Sequence, residues 1–204
     1  EKVGYIQTEE ATKQFLIIPF IQALGYDVFN PNEVVPEFTA DVGIKQGEKV
    51  DYAILKNGEP IMLWECKCAK DELCSKQMSQ LYRYFSVTPA KIAVLTNGVH
   101  YMFFADLDEP NRMDDRPFLE LNLLEIKDPR TLNDLKRFSK GGFDIDELIP
   151  AAVNLKYTKE IKRIFDDQLS SPDPDFVKFF ASDVYSGNKT AQVISMFTEI
   201  TKNA

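Results

Sequence analysis

Two acidic residues and a lysine lie close together in a stretch whose pattern predicts a β-hairpin. Asp51 lies on the first arm, and Glu65 and Lys67 end the second arm. Between the arms, Asn57-Gly58 is a strong signal for a tight turn. Carboxylates on neighbouring strands can bind a divalent cation, and a lysine beside them can stabilise negative charge. The set therefore has the residue types that metal-dependent hydrolysis of a phosphodiester requires.

The second arm of the predicted hairpin is apolar on both faces before its charged residues begin. Ile61 and Leu63 lie on the face that Glu65 and Lys67 continue, and the opposite face carries Trp64. A strand that is apolar on both faces is expected to be buried. An unpaired carboxylate in such a strand is costly, so Glu65 requires a metal, a partner or a surface cleft.

The length of the hairpin loop decides whether the two carboxylates can act together. A two-residue loop at Asn57-Gly58 would pair Asp51 with Trp64 and place Asp51 and Glu65 on opposite faces. A three-residue loop with a left-handed residue and a bulge shifts the pairing by one residue. We therefore predict the three-residue loop, which brings both carboxylates to one face. The alternative is that Asp51, Glu65 and Lys67 form only a structural ion pair at strand ends.

A set of motifs in the N-terminal part of the chain resembles the PD-(D/E)XK nuclease superfamily. Within it, the sequence is similar to the N-terminal nuclease domain of the restriction subunit of type I restriction enzymes and its stand-alone relatives. The resemblance spans roughly Thr8 to Glu125, and the motifs together are fairly specific. The matching segments are Thr8-Glu9-Glu10-Ala11-Thr12-Lys13, Leu24-Gly25-Tyr26, Val35-Pro36-Glu37 with Ala40-Asp41, Lys49-Val50-Asp51-Tyr52, Glu65-Cys66-Lys67 and Gln80-Leu81-Tyr82-Arg83-Tyr84.

The resemblance implies roles for the residues of the hairpin. Asp51 and Glu65 match the family's metal ligands, and Lys67 matches its catalytic lysine, whereas Val50 replaces the superfamily's usual proline. The expected cofactor is Mg²⁺ or Mn²⁺, because such hard cations prefer carboxylate, carbonyl and water oxygens. The backbone carbonyl of Cys66 is expected to be a third ligand. With an ordinary pKa of about 10.4, Lys67 suits stabilisation of negative charge better than proton abstraction.

Helices on either side of the hairpin are expected to add to the site. An acid of the first helix would complete the ligand set, and both Glu9 and Glu10 qualify. We favour Glu9 as the metal ligand, because the family places its acid a full turn before the basic residue that Lys13 matches. Gln80 and Tyr84 fit the family's QxxxY motif and lie one turn apart. They are expected to orient a metal-bound water or contact a phosphate, or alternatively to pack on the sheet.

Composition limits the class of protein. With 204 residues and 44% hydrophobic content, the chain can form a core without disulfides. No stretch reaches the roughly 18 apolar residues of a membrane span, and the sequence shows no signal peptide. Three cysteines, an odd number, fit a reducing environment, so a cytoplasmic location is expected. The spacing of Cys66, Cys68 and Cys74 is wrong for zinc.

The charge of the chain argues against an autonomous DNA-binding protein, because the net charge is −8 and the pI is near 4.8. Between Asp41 and Lys91, however, eight basic residues stand against seven acidic ones, a local charge of +1 where the remainder carries −9. DNA affinity would then come from bound metal ions, from partner subunits or from further parts of the protein. The expected partners are DNA and other restriction-modification subunits, with no membrane.

The order of elements predicts an α/β fold, with a restriction-endonuclease-like mixed β-sheet core flanked by helices and a C-terminal helical appendage. The nuclease-like domain is expected over residues 1–127 and the appendage over residues 128–204. A first helix is predicted from Thr8 to Leu24, kinked at Pro19, and a second from Asp71 to about Phe85. Strands are predicted over Lys91–Thr96, Val99–Phe104 and Phe118–Leu124, and later helices after caps at Thr131, Asp144, Asp173 and Asn188.

Three functions fit these residues. The first is a Mg²⁺-dependent DNA endonuclease of the type I restriction kind, which the ordered motif set favours. The second is a DNA-binding or regulatory module on the same fold that does not cleave, which the acidic charge favours slightly. The third is an interaction protein in which the ionic residues are structural. One hypothesis for the helical appendage is a linker or docking surface toward a further C-terminal region.

Overall fold

A mixed β-sheet forms the centre of the computed structural model, which describes residues 2–39, 49–74, 77–126 and 129–203. The strands are β1 Val34–Phe38, β2 Val50–Lys56, β3 Glu59–Cys66, β4 Ile92–Thr96, β5 His100–Phe104 and β6 Leu119–Asn122. Within the described residues, they lie in the sheet in the order of the chain, and only β3 and β4 pair in parallel. A parallel pair requires a crossover connection, which contains a helix here.

Helices precede the sheet, form this crossover and follow the last strand. They are α1 Glu9–Thr12, α2 Ile18–Ala23, α3 Met78–Val87, α4 Pro129–Lys136, α5 Ile145–Ser170, α6 Pro174–Val184 and α7 Ala191–Asn203. A 3-10 turn, Lys2–Tyr5, precedes α1, and a π-helix, Lys13–Ile17, joins α1 to α2. The mixed sheet with its helices confirms the predicted α/β fold. The motif residues Ala40 and Asp41 lie outside the described residues.

The β2–β3 hairpin differs from the predicted one in its loop. Lys56 pairs with Glu59 around a two-residue turn, and both turn residues have positive φ, 55° at Asn57 and 84° at Gly58. The predicted three-residue loop is therefore wrong, because Asn-Gly supplies the left-handed backbone that a two-residue turn requires. The expected one-residue shift arises from a bulge beyond Leu55, after which Tyr52 pairs with Trp64. This register places Asp51 on the same face as Glu65.

Strand β3 is buried on both faces, as its apolar pattern predicted. Met62, Leu63, Trp64 and Cys66 are all fully buried. Met62, Trp64 and Cys66 belong to the core cluster that also contains Ile17 and Ile21 of the first helical segment, together with residues of α4 and α5. Leu63 belongs to the opposite cluster, beneath α3. The end of β3 is therefore fixed from two sides.

The first helical segment begins and ends near the predicted residues, but it is not one regular helix. Thr8 caps α1 by accepting a hydrogen bond from the Ala11 N–H, and Gly25 follows the segment with a φ of 91°. Between α1 and α2 the chain widens into the π-helix. The cause lies at Pro19, which has no N–H and whose ring would clash with a carbonyl of the preceding turn. The interruption of the regular helix lies just before Pro19, where the sequence predicts a kink.

Helix α3 begins at Met78, so the predicted start at Asp71 is wrong. After β3, the chain is instead hydrogen-bonded to α1 and to the turn between β4 and β5. The Ala69 N–H donates to Thr12 Oγ1 over 2.9 Å, and Asn97 Nδ2 donates to the Asp71 carbonyl over 2.9 Å. In a helix that began at Asp71, the Asp71 carbonyl would instead accept a hydrogen bond from an N–H of the next helical turn. Residues 75 and 76 of the predicted helix lie outside the described residues.

The chain divides into two compact units, residues 1–156 and 157–204. The first extends beyond residue 127, the predicted end of the nuclease-like domain, because Leu135 and Phe138 near α4 and Leu148 and Ala152 of α5 belong to its core. The change to helical sequence near Pro129 therefore does not mark the end of this unit.

The second unit contains the end of α5 and helices α6 and α7. Asp173 caps α6, as predicted, by accepting hydrogen bonds from the N–H groups of Asp175 and Phe176. Helix α7 begins at Ala191 after Thr190, later than the predicted cap at Asn188. Helix α4 begins at Pro129, so Thr131 is not its cap, whereas Asp144 directly precedes α5. No helix of the described part of the chain is long and apolar enough to cross a membrane.

The Asn97-Gly98 turn between β4 and β5 packs directly on the first helical segment. Gly98 has a φ of 79°, and a Cβ there would lie 2.7 Å from Leu16 Cβ. We expect Gly98→Ala to lower the free energy of unfolding by about 2 kcal/mol more than Gly58→Ala, because overpacking adds to a shared backbone cost. Gly58 is the matched control, with a φ of 84° and no atom near its added Cβ. Equal losses in urea denaturation would contradict the close approach.

Candidate active site

Asp51 is held at the start of β2 by two contacts, one to each carboxylate oxygen. Oδ2 accepts a hydrogen bond of 2.7 Å from the Cys66 N–H. Oδ1 lies 2.6 Å from Lys13 Nζ on the first helical segment. The first contact links the beginning of β2 to the end of β3, as the bulged register allows. Asp51 is therefore fixed by the sheet and by the helix above it.

Glu65 lies at the end of β3 and is 4% exposed, which is unusual for a carboxylate. Its Oε1 accepts a hydrogen bond of 2.6 Å from Lys67 Nζ. Its Oε2 is also buried, but it has no hydrogen-bond partner in the described part of the chain. Burial raises the pKa of Glu65 to about 7, an effect that the Lys67 ammonium opposes and the nearby Asp51 charge reinforces. The carboxylate is thus placed where a further cation would stabilise its charged form.

Lys67 is the first residue after β3, and its backbone N–H donates to the Thr96 carbonyl over 2.8 Å. Its ammonium is half-buried beside Glu65. Burial alone would lower the pKa of Lys67, but the hydrogen bond to Glu65 and the charges of Glu65, Glu9 and Asp51 outweigh it and raise the pKa. Lys67 is therefore a cation at neutral pH, as its ordinary pKa predicted.

The first helical segment brings a second lysine to the site. Lys13 Nζ lies 3.2 Å from Glu9 Oε1 and 3.0 Å from Glu10 Oε1, in addition to its contact with Asp51. Burial opposes the charge of Lys13, but its three acidic neighbours raise its pKa. The sequence matched Lys13 to a basic position of the family without predicting its contact with Asp51. The spacing of Glu9 and Glu10, four and three residues before Lys13, is a sequence signal for their contacts with Lys13. It gives no information about the contact of Lys13 with Asp51.

The two candidate acids of the first helix differ in their relation to the buried site. The Glu10 side chain is 84% exposed, whereas that of Glu9 is 40% exposed. The Glu9 charge also contributes to the raised pKa values of Glu65 and Lys67. The charge of Glu9 thus acts on the two residues at the end of β3, although both glutamates contact Lys13.

Gln80 and Tyr84 lie on α3, behind the strand that carries Asp51. Gln80 Nε2 donates a hydrogen bond to the Lys49 carbonyl, two residues before Asp51 in the chain. Tyr84 is buried in the core cluster beneath α3. The structure brings Gln80 to the backbone that leads into β2, and Tyr84 to the packing that supports it. Tyr84 therefore packs on the sheet, and a direct part of either side chain in the chemistry stays a prediction.

The residues that could hold a metal ion are not arranged as a ready ligand cluster. Among the residues described, no three His, Cys, Asp or Glu side chains converge on a point suited to a metal. Asp51 and Glu65 lie on one face, but Glu9 contacts Lys13 instead of joining them. The unpaired Oε2 of Glu65 nevertheless fits a hard cation, since carboxylate oxygen is the ligand that Mg²⁺ and Mn²⁺ prefer.

Comparison with known protein families identifies the class of domain. The family model for type I restriction enzyme R protein N terminus (HSDR_N) matches residues 8–116, more than half of the 204 residues, and this range contains every predicted site residue. Comparisons with curated proteins and with solved structures gave no match. The chain therefore belongs to the type I restriction enzyme R protein N-terminal family, and its first unit contains a PD-(D/E)XK nuclease-like domain.

Proposed function

We propose that this domain is a metal-dependent endonuclease that hydrolyses DNA phosphodiester bonds as part of a restriction system. The observation that carries the proposal is the buried Glu65 carboxylate, whose Oε2 has no hydrogen-bond partner among the described residues. A buried anion with one oxygen unpaired is costly. A divalent cation shared with Asp51 would remove that cost and would supply the chemistry that the family membership suggests.

The proposed ligands of Mg²⁺ or Mn²⁺ are the Asp51 and Glu65 carboxylates, the backbone carbonyl of Cys66 and, from the first helix, Glu9. Such a cation lowers the pKa of a bound water and neutralises phosphate oxygens. The charges of the site support a divalent ion. When Glu65 is ionised, four carboxylates face the two ammonium groups of Lys13 and Lys67, which leaves two negative charges; the carboxylates are those of Glu9, Glu10, Asp51 and Glu65.

The residues of the chain have distinct parts in the proposed reaction. Lys67 is protonated, so it donates hydrogen bonds to the phosphate oxygens on which negative charge develops. Glu65 holds that ammonium in place through their 2.6 Å contact. The Cys66 N–H fixes Asp51, and Gln80 fixes the backbone before it. Preorganised groups of this kind lower the barrier because they need no reorientation during the reaction.

The net charge of −8 requires a separate source of DNA affinity. We propose that DNA is delivered by other restriction-modification subunits or by further parts of the protein, in the cytoplasm. Metal ions at the site would reduce the local repulsion. A second candidate function is a DNA-binding or regulatory module that does not cleave. The acidic net charge supports it, and so do the contacts that Asp51 and Glu65 already make with lysines.

The experiment that tests the proposal measures cleavage of supercoiled plasmid and of single-stranded DNA by the purified chain. With Mg²⁺ or Mn²⁺ in excess, we expect conversion of supercoiled plasmid to nicked and linear forms, and with EDTA we expect none. A double variant, Asp51→Asn with Lys67→Met, purified in parallel, controls for contaminating nucleases.

The outcomes separate the two candidate functions. Cleavage by the native chain alone, dependent on metal, would support the endonuclease. A native chain that binds DNA in a mobility-shift assay but leaves it intact with either metal would support the module that does not cleave. Equal cleavage by the native chain and the double variant would reject the assigned site.

A further inference from the structure

Lys13 contacts a different set of carboxylates from Lys67, which contacts Glu65. Its Nζ lies within 3.2 Å of three carboxylates, those of Glu9, Glu10 and Asp51. The shortest of these contacts, 2.6 Å, is to Asp51 Oδ1. The lysine side chain is only 14% exposed, and it approaches from the first helical segment, on a different element from Asp51. Lys13 therefore lies where one positive charge neutralises several acids.

The contact of Lys13 with Asp51 opposes the binding of a divalent cation to the same carboxylate. Asp51 Oδ2 accepts the Cys66 N–H and Oδ1 contacts the Lys13 ammonium, so a ligand bond to this carboxylate brings a divalent ion close to Lys13 Nζ. A Mg²⁺ ion lies about 2.0–2.1 Å from its ligand oxygens. Together with an ammonium 2.6 Å from Oδ1 of this carboxylate, it would place two cations within a few ångströms of each other. Repulsion between the two cations therefore favours displacement of the Lys13 ammonium by a metal that binds Asp51.

We propose that Lys13 is a tethered cation that neutralises the metal-free site and is displaced from Asp51 when a divalent ion binds. This inference rests on the proposed function, since it concerns the same carboxylates. The chain provides a place for the displaced ammonium. Glu10 already lies 3.0 Å from Nζ and is largely exposed, so Lys13 can keep that partner while it leaves Asp51 and Glu9. Glu9 then becomes available to the metal, and Lys13 acts as a positioning residue that sets metal affinity.

The test measures the affinity of Mn²⁺ alone by isothermal titration calorimetry, together with the melting temperature in EDTA. Lys13→Met keeps the length of the side chain and removes its charge. We expect it to bind Mn²⁺ about tenfold more tightly, because affinity rises when a competing charge is removed. We also expect a lower melting temperature in EDTA, because three carboxylates lose their cation, and recovery of this loss in saturating Mn²⁺. Lys13→Gln should behave in the same way if Lys13→Met does not fold.

The matched control is Lys91→Met. Lys91 forms a 2.8 Å ion pair with the largely buried Asp106, but it is not among the contacts of the site. Lys91→Met should have an unchanged Mn²⁺ affinity. Its melting temperature should be lower than that of the native protein by the same amount in EDTA and in saturating Mn²⁺. If native protein binds Mn²⁺ and Asp51→Asn does not, unchanged or weaker binding by the Lys13 variants overturns the inference alone. If neither native protein nor the Lys13 variants bind Mn²⁺, both the metal site and the inference fail.

Discussion

Lys67→Met is expected to slow metal-dependent DNA cleavage by a factor of about 10²–10³, the usual cost of removing one preorganised donor to a developing charge. The ammonium of Lys67 lies 2.6 Å from Glu65 and is half-buried, so its position is fixed before substrate binds. Its raised pKa keeps it protonated at neutral pH. Methionine has a similar length but no charge and no donor, so it retains the packing and removes the proposed function.

The measurement is the rate of plasmid nicking under single-turnover conditions, with Mn²⁺ affinity determined on the same preparations. The Mn²⁺ affinity should not fall, because Lys67 is not a ligand. Lys202→Met is the matched control, since Lys202 forms an exposed ion pair with Glu199 in the second unit. A Lys67→Met rate equal to that of the native chain would exclude Lys67 from the chemistry. Lys67→Arg should recover only part of the rate, because a planar guanidinium does not replace a compact ammonium.

The hairpin illustrates how much of the site the sequence could predict. The acids, the turn and the buried second arm follow from residue types and alternation. The common face of Asp51 and Glu65 was also predicted, but it was attributed to a three-residue loop, which is wrong. Asn57-Gly58 makes the two-residue turn that its sequence favours, and the shift comes from a bulge near Ile61. A bulge of this kind has no reliable sequence signal, because it depends on how the strand packs in the sheet.

The contacts made by the helices show a different limit. Helical spacing placed Gln80 and Tyr84 one turn apart, but it could not give the direction that each side chain takes. Gln80 reaches the Lys49 carbonyl, and Tyr84 is buried in the core. Likewise, the 2.6 Å contact of Lys13 with Asp51 joins residues far apart in the chain. Such contacts depend on the packing of the first helical segment on the sheet, and local patterns do not specify that packing.

The two lysines pair with the two strand carboxylates in a way that the sequence alone did not show. Each strand carboxylate contacts one ammonium, Asp51 that of Lys13 and Glu65 that of Lys67. Lys13 also contacts Glu9 and the exposed Glu10, while the backbone N–H of Lys67, just after β3, is bound by the Thr96 carbonyl of the sheet. We therefore expect a metal to displace Lys13 and leave Lys67 in place. In this proposal, Lys13 sets the metal affinity and Lys67 takes part in the reaction.

Glu65→Gln is expected to stabilise the metal-free protein increasingly as the pH rises from 5 to 8, by up to about 3 kcal/mol. The folded-state pKa of Glu65 is raised from 4.5 to about 7, with burial as the largest cause. Between these two pH values the folded state binds more protons than the unfolded state, so the native protein loses stability as the pH rises. Glutamine keeps the shape of the side chain and has no charge to bury.

The measurement is urea denaturation in EDTA at several pH values, compared between the native chain and the variant. Glu59→Gln is the matched control, because it removes an exposed carboxylate from the other end of the same strand. Its stability relative to the native chain should stay constant across this range. Saturating Mn²⁺ should reverse the order for Glu65→Gln, since the native carboxylate gains a ligand bond that an amide replaces poorly. If the Glu65→Gln difference does not change with pH, the carboxylate is not buried as the site requires.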